Sequence, residues 1–153
     1  MNAVGLELDA LRASLSLAMP GNPVAEGWKS YSQCDEDGII RECLSRIGRS
    51  CATSRTFVEV GCGNGLENNT HQLLLDGYRG VWVDGAESNI DFVRSELGSL
   101  AFDDLMVLRS FVTAGNAAVL AGDMASFLGS KDVDFLSLDI VGNDTYVLGP
   151  HLS

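Results

Sequence analysis

The sequence predicts an α/β fold, a mostly parallel sheet flanked by helices, and two observations carry that prediction. Strand-like runs at 56–60, 80–84, 105–112 and 133–139 alternate with helical periodicities near 68–76, 88–97 and 116–128, the βαβ alternation of a parallel sheet. The run Phe57-Val-Glu-Val-Gly-Cys-Gly-Asn-Gly65, followed by Val81-Trp-Val-Asp84, reads as a buried strand closing in a tight glycine turn and then a second strand closing in an acid. That is the layout of a nucleoside-binding domain. At 153 residues with 46% apolar side chains, the chain can build one sizeable core.

The elements follow in order. Val4, Leu8, Leu11 and Leu15 recur at helical spacing, with Glu7, Asp9 and Arg12 off the stripe. Residues 4–18 therefore form an amphipathic packing helix that breaks at Pro20-Gly-Asn-Pro23. This makes 1–23 a leading segment and 24–153 the domain proper. Ile39, Ile40, Cys43, Leu44 and Ile47 space as a helix ending near Gly48, and a polar connection leads to the first strand at Thr56. The stretch 133–138 is apolar at nearly every position, as in a strand covered on both faces. Asp139 then emerges at its carboxyl end, the edge at which such sheets bind ligands.

The glycine turn narrows the ligand. Gly61, Gly63 and Gly65 permit positive φ and a close backbone approach, and Leu66 stands where a dinucleotide fingerprint places its third glycine. Glu59, two residues before the turn, suits the α-ammonium of a methionine moiety and suits a pyrophosphate poorly. Asp84 follows Gly61 at close to the ~20-residue offset of an acid that accepts from ribose hydroxyls. The combination favours S-adenosylmethionine over NAD, although glycines of a plain turn and a solvated acid give the same letters.

Composition removes several classes. Ten basic residues against 21 acidic give a net charge of −11, which opposes the phosphate neutralisation that nucleic acids require. Cys34, Cys43, Cys51 and Cys62 contain no C-x-x-C pair, so free thiols are expected rather than zinc or disulfides. No run approaches the ~18 apolar residues of a membrane span, and no basic region precedes an apolar one at the N-terminus. A soluble, cytoplasmic protein with neither membrane nor nucleic-acid partners is the expectation.

Several segments together carry a resemblance: Ser32-Gln33-Cys-Asp-Glu36-Asp37-Gly38, Phe57 to Gly65, Asn69-Thr70, Gly80-Val-Trp-Val-Asp84-Gly, Phe111-Val-Thr113 with Asn116, and Asp134-Phe-Leu-Ser-Leu-Asp139-Ile-Val-Gly142-Asn143-Asp144. In this order and over residues 32–144, the chain resembles the FkbM-like group of class I S-adenosylmethionine-dependent methyltransferases. The resemblance implies a Rossmann-like class I methyltransferase fold and S-adenosylmethionine as cofactor. It also implies methyl transfer to an oxygen, on a small-molecule or carbohydrate hydroxyl.

The resemblance further implies a sheet ordered 3-2-1-4 whose later, C-terminal strands are missing, so the chain is expected to be a fragment with an apolar fourth-strand edge. Self-association through that edge, or marginal stability, follows. Val141 stands where relatives often carry a second acid.

Candidate catalytic residues near the transferred methyl are Asp139, Asp144 and Asn143, the last orienting the acceptor; Asp139 and Asp144 equally suit turn or capping roles. Gln33, Glu36 and Asp37 either line the cofactor pocket or cap the helix at 38–47. Asn69 and Thr70 either contact the methionine carboxylate or cap the helix after the turn. His71 reads as a partly exposed helix residue, Cys62 as a small side chain that fits the turn, and no resident metal is expected. An inert S-adenosylmethionine- or nucleoside-binding module is the alternative, and an NAD-dependent oxidoreductase the third reading.

Overall fold

The computed structural model describes residues 3–98 and 103–140, with side chains from residue 7 onward. Its elements are α1 (Ala3–Ala18), a 3-10 turn (Pro23–Glu26), α2 (Glu36–Ser50), β1 (Thr56–Val60), α3 (His71–Leu75), β2 (Arg79–Asp84), α4 (Glu87–Phe92), continued by a π turn (Val93–Leu97), β3 (Leu105–Arg109), α5 (Ala117–Leu128) and β4 (Phe135–Leu138). The four strands form one parallel sheet in the order β3-β2-β1-β4. The α/β class and the strand order match the expectation from sequence.

Strand parity sorts the core onto two faces. Phe57 and Trp82 point to one side, where they pack with Leu44, Leu73, Leu74, Val93 and Leu97. Val58, Val60, Val81 and Val83 point to the other, against Leu128 and the half-buried Met124 and Phe127 of α5. Phe57 and Trp82 are wholly buried, and truncating either to alanine would cost about 3–5 kcal/mol. Gly80 makes room for Phe57: a Cβ at that position would come within 2.0 Å of the ring. Asp134, just before β4, accepts from the Thr56 backbone N–H at 2.9 Å, and the Asp139 N–H donates to the Val60 carbonyl at 2.9 Å. The β1–β4 pairing is thereby pinned at both ends.

Two expectations need correction. The apolar stripe of α1 is only partly covered: Leu11 is 64% exposed and Leu8 is exposed, Leu15 is half-buried, and the helix meets the Pro23–Glu26 turn and is tied by an Arg12–Asp35 ion pair at 2.6 Å. Periodicity reports that a helix has an apolar face and not what covers it. Nor is β4 covered on both faces. It pairs with β1 alone among the described residues, and Leu136 is 46% exposed, because β4 lies at the margin of this sheet. Among the described residues no helix is long and apolar enough to cross a membrane.

Candidate functional site

The carboxyl ends of the strands open into two cavities that share a wall. The larger, about 430 Å³, is bounded by Gly61 after β1, Asp84 and Gly85 after β2, Ser110 and Phe111 after β3, and Asp139 after β4. The smaller, about 200 Å³, is bounded by Gln33, Glu36, Glu59, Glu67, Asn68 and Asn69. Gly61 and Asp139 belong to both. The first cavity is lined chiefly by valines, glycines and a phenylalanine. The second is acidic.

The glycine turn is built for the junction between them. Gly61 and Cys62 both donate their backbone N–H to the Val83 carbonyl, at 2.8 and 3.2 Å. Gly61 has φ +87°, and a Cβ there would lie 2.0 Å from the Asp139 carbonyl oxygen, so β4 can approach β1 this closely only over a glycine. Gly63 also has a positive φ, of +58°, but its Cβ would meet nothing within 4 Å. Gly65 instead packs on the Trp82 indole, 2.7 Å from where its Cβ would be. The three glycines therefore serve different ends: strand approach, open space and core packing.

Asp84 is partly committed. One oxygen accepts from Gly63 N–H at 3.0 Å, and the other from Ala86 N–H and Asn89 Nδ2 at 2.8 and 3.0 Å. A carboxylate offers about four lone-pair sites, so about one remains for a ligand hydroxyl in the larger cavity. The Phe111 ring, 76% exposed, lies against Gly85, where any Cβ would clash with it.

Glu59 shares the Trp82 side of the sheet and is 2% exposed. Its carboxylate accepts from the backbone N–H groups of Asn69 and Thr70 at 3.0 and 3.1 Å and from the Thr70 hydroxyl. Burial raises its pKa above the ordinary 4.5, and these hydrogen bonds only partly oppose the shift. Thr70 is fully buried and accepts from Trp82 Nε1 at 2.8 Å, so its side chain meets Glu59 and neither cavity. Nor does it cap α3 through its hydroxyl. Asn68 fills that role, its Oδ1 accepting from the backbone N–H of His71 at 2.8 Å and of Thr70 at 3.3 Å. An asparagine three residues ahead of the first helical residue was the available signal. The Asn68 Nδ2 amide is buried with no acceptor among the described residues. Asn69 borders the smaller cavity and donates through Nδ2 to Ser137 Oγ of β4 at 3.2 Å.

His71 is buried, not partly exposed. It stacks on Tyr31 with ring centroids 4.1 Å apart, meets Trp82 edge-on, and bonds the Gly65 carbonyl through Nδ1 at 2.6 Å. Nδ1 must carry the proton, since a carbonyl only accepts. Burial lowers the His71 pKa, against the opposing pull of Gly65 and the Asp37 charge. Cys62 is also buried, and burial reinforced by the charges of Asp84 and Glu59 pushes its thiol pKa up.

The segment before α2 divides in the same way. Gln33 and Glu36 border the smaller cavity, Glu36 accepting from Cys34 N–H at 2.7 Å. Asp37 is 2% exposed and gathers the N–H groups of Ser30, Tyr31 and Ser32 on one oxygen at 2.6, 2.7 and 3.0 Å. It shapes the loop that carries Tyr31 and does not face a cavity wall. Asp139 is the candidate catalytic residue that the described chain brings to the site; Val141, Asn143 and Asp144 lie outside the described residues. Among the described residues no three His, Cys, Asp or Glu side chains converge as a metal site. No protein-family model matches the chain, and neither does any curated protein.

Proposed function

We propose that the chain is an S-adenosylmethionine-binding methyltransferase domain of the FkbM-like kind, acting on an oxygen of a small-molecule or carbohydrate hydroxyl. The observation that carries this reading is the pair of cavities meeting at Gly61 and Asp139. One is a mostly apolar slot with an acid at the position of a ribose hydroxyl, and the other is a small acidic space. A nucleoside joined to an amino acid fits that division, with the adenosine along Val83, Gly85 and Phe111 and the α-ammonium among Glu36, Glu67 and Asp139. A dinucleotide fits it poorly, because its pyrophosphate would meet the same carboxylates.

The cofactor, when bound, supplies an electrophilic methyl group on a sulfonium. The chain supplies placement, which accounts for much of the rate in such a displacement. Asp84 accepts from one ribose hydroxyl through its remaining lone pair, and Gly61 lets the ligand lie against the turn. Asp139, exposed at the junction of the two cavities, is placed to accept the proton of an incoming hydroxyl as general base. Glu59 acts from behind by fixing the N-terminus of α3.

Calorimetric titration with S-adenosylhomocysteine tests the reading. The folded parent should bind, Asp84→Ala should weaken binding about tenfold or more, and NAD should give no heat. A folded parent that binds NAD and not S-adenosylhomocysteine would refute the assignment.

A further inference from the structure

A third cavity, about 390 Å³, lies at the opposite end of the sheet. It is lined by Arg41 and Ser45 of α2, Thr53 and Arg55 ahead of β1, and Asp76 and Tyr78 ahead of β2. In a chain with 21 acidic and 10 basic residues, two arginines here converge on one residue. Arg41 Nε lies 3.6 Å from the Asp76 carboxylate, and Arg55 Nη2 donates to the Asp76 carbonyl. Each guanidinium is also seated on an aromatic ring, Arg55 over Tyr78 at 4.9 Å and Arg41 beside Trp28 at 6.0 Å.

Arg55 is the one non-glycine with positive φ among the described residues, at +57°. A side chain in that conformation carries a steric cost that glycine would avoid, and such outliers concentrate at functional sites. The Arg41–Asp76 ion pair does not involve Arg55, whose guanidinium donates to the Asp76 carbonyl and lies over the Tyr78 ring. Ser45 Oγ accepts from Arg49, which leaves its proton free to donate, and Thr53 and Tyr78 add two more hydroxyl donors. One Asp76 carboxylate oxygen accepts from Gln72 Nε2 at 3.0 Å, and the other faces Arg41 at 3.6 Å.

We infer that this cavity is an anion site that takes the phosphate group of a small phosphate ester. Two guanidinium forks and three hydroxyls approaching from separate elements suit a tetrahedral anion with several oxygens better than a planar carboxylate. Tyr78 and Leu44 offer an apolar wall for the body of the ester. The site is separate from the strand-end cavities, and the proposal does not depend on the function proposed for them.

The experiment is calorimetric titration of the full chain with inorganic phosphate and with phenyl phosphate, beside ¹⁵N-resolved NMR mapping. Both probes should bind saturably, phenyl phosphate the tighter, with shifts centred on Arg41, Thr53 and Arg55. Arg55→Gly removes the guanidinium at a position whose φ suits glycine, and should weaken phosphate binding about tenfold without lowering the melting temperature. Arg41→Gln, on the surface, should weaken it similarly and decides the matter if Arg55→Gly fails to fold. Asp76→Asn should tighten it. S-adenosylhomocysteine titrations should be the same in parent and variants. No saturable heat with either probe, shifts centred on Ser110 and Phe111, or an Arg41→Gln protein that binds like the parent would overturn the proposal.

Discussion

Substituting Gly61 and Gly63 separately by alanine should have unequal consequences. At Gly61 the new Cβ would stand 2.0 Å from the Asp139 carbonyl oxygen. A tolerable carbon–oxygen contact is about 3.3 Å, so the end of β4 would have to retreat roughly 1.3 Å. That retreat would stretch the Asp139 N–H to Val60 bond, now 2.9 Å. Left-handed strain of about 1–2 kcal/mol adds to an overpacking cost of about 1–3 kcal/mol, so Gly61→Ala should lose about 3 kcal/mol of stability. At Gly63 the strain remains, but the Cβ meets nothing within 4 Å, and the loss should be only about 1–2 kcal/mol. Urea unfolding of the three proteins checks both numbers, and titration with S-adenosylhomocysteine checks the consequence for binding. Gly63→Ala should stay folded and bind more weakly, if the open space beside the turn is ligand space. Equal destabilisation by the two substitutions would refute the division of labour among the glycines.

Two further outcomes are expected. His71 has a folded pKa below its ordinary 6.5, chiefly through burial, so the unfolded chain binds the proton more readily. Its contribution to stability is therefore present above pH 6.5 and is lost as the pH falls from 6.5 through the folded pKa. The pH dependence of unfolding should flatten across that window in His71→Gln, and an unchanged slope would refute the account. At the β4 margin, where Leu136 is 46% exposed, self-association through strand pairing should appear as a concentration-dependent sedimentation coefficient that Leu136→Lys abolishes. A monomer at all concentrations would argue against that edge as an interface.

What the sequence revealed divides along physical lines. The strands and the glycine turn were legible because each is written in local signals, namely apolar runs, turn glycines and the alternation of periods, whereas the strand order came only from the family resemblance. Glu59 was legible as an acid beside the turn but not as an internal one. Parity with Phe57 places it on the Trp82 side of β1, and that signal was present in the letters. The capping role was assigned to Asn69 and Thr70, and the structure gives it to the residue before them, Asn68. The Tyr31–His71 stack joins residues from distant parts of the chain, a contact no local pattern encodes. The exposure of Leu8 and Leu11 on α1 and of Leu136 on the face of β4 escaped for a related reason, since an apolar stripe shows what a segment is able to bury and leaves its cover unspecified.

The interior behind the turn suggests why a buried acid is tolerated at Glu59. Two backbone N–H groups and a hydroxyl point at it, and its two oxygens divide the three donors between them. Thr70 passes the constraint to Trp82 Nε1, Trp82 fills the space under Gly65, and His71 ties the Gly65 carbonyl to the loop at Tyr31. The desolvation that raises the Glu59 pKa thus buys a turn held from three directions. The Ser137 hydroxyl adds a fourth hydrogen bond, so the carboxylate's about four lone-pair sites are taken and none is left for a ligand's ammonium. The proposed function therefore assigns that contact to Glu36, Glu67 and Asp139, which border the same small cavity from more exposed positions. Glu59 is then a positioning residue, and on the proposed reading the electrostatic recognition of the amino-acid end belongs to residues the glycine motif does not contain.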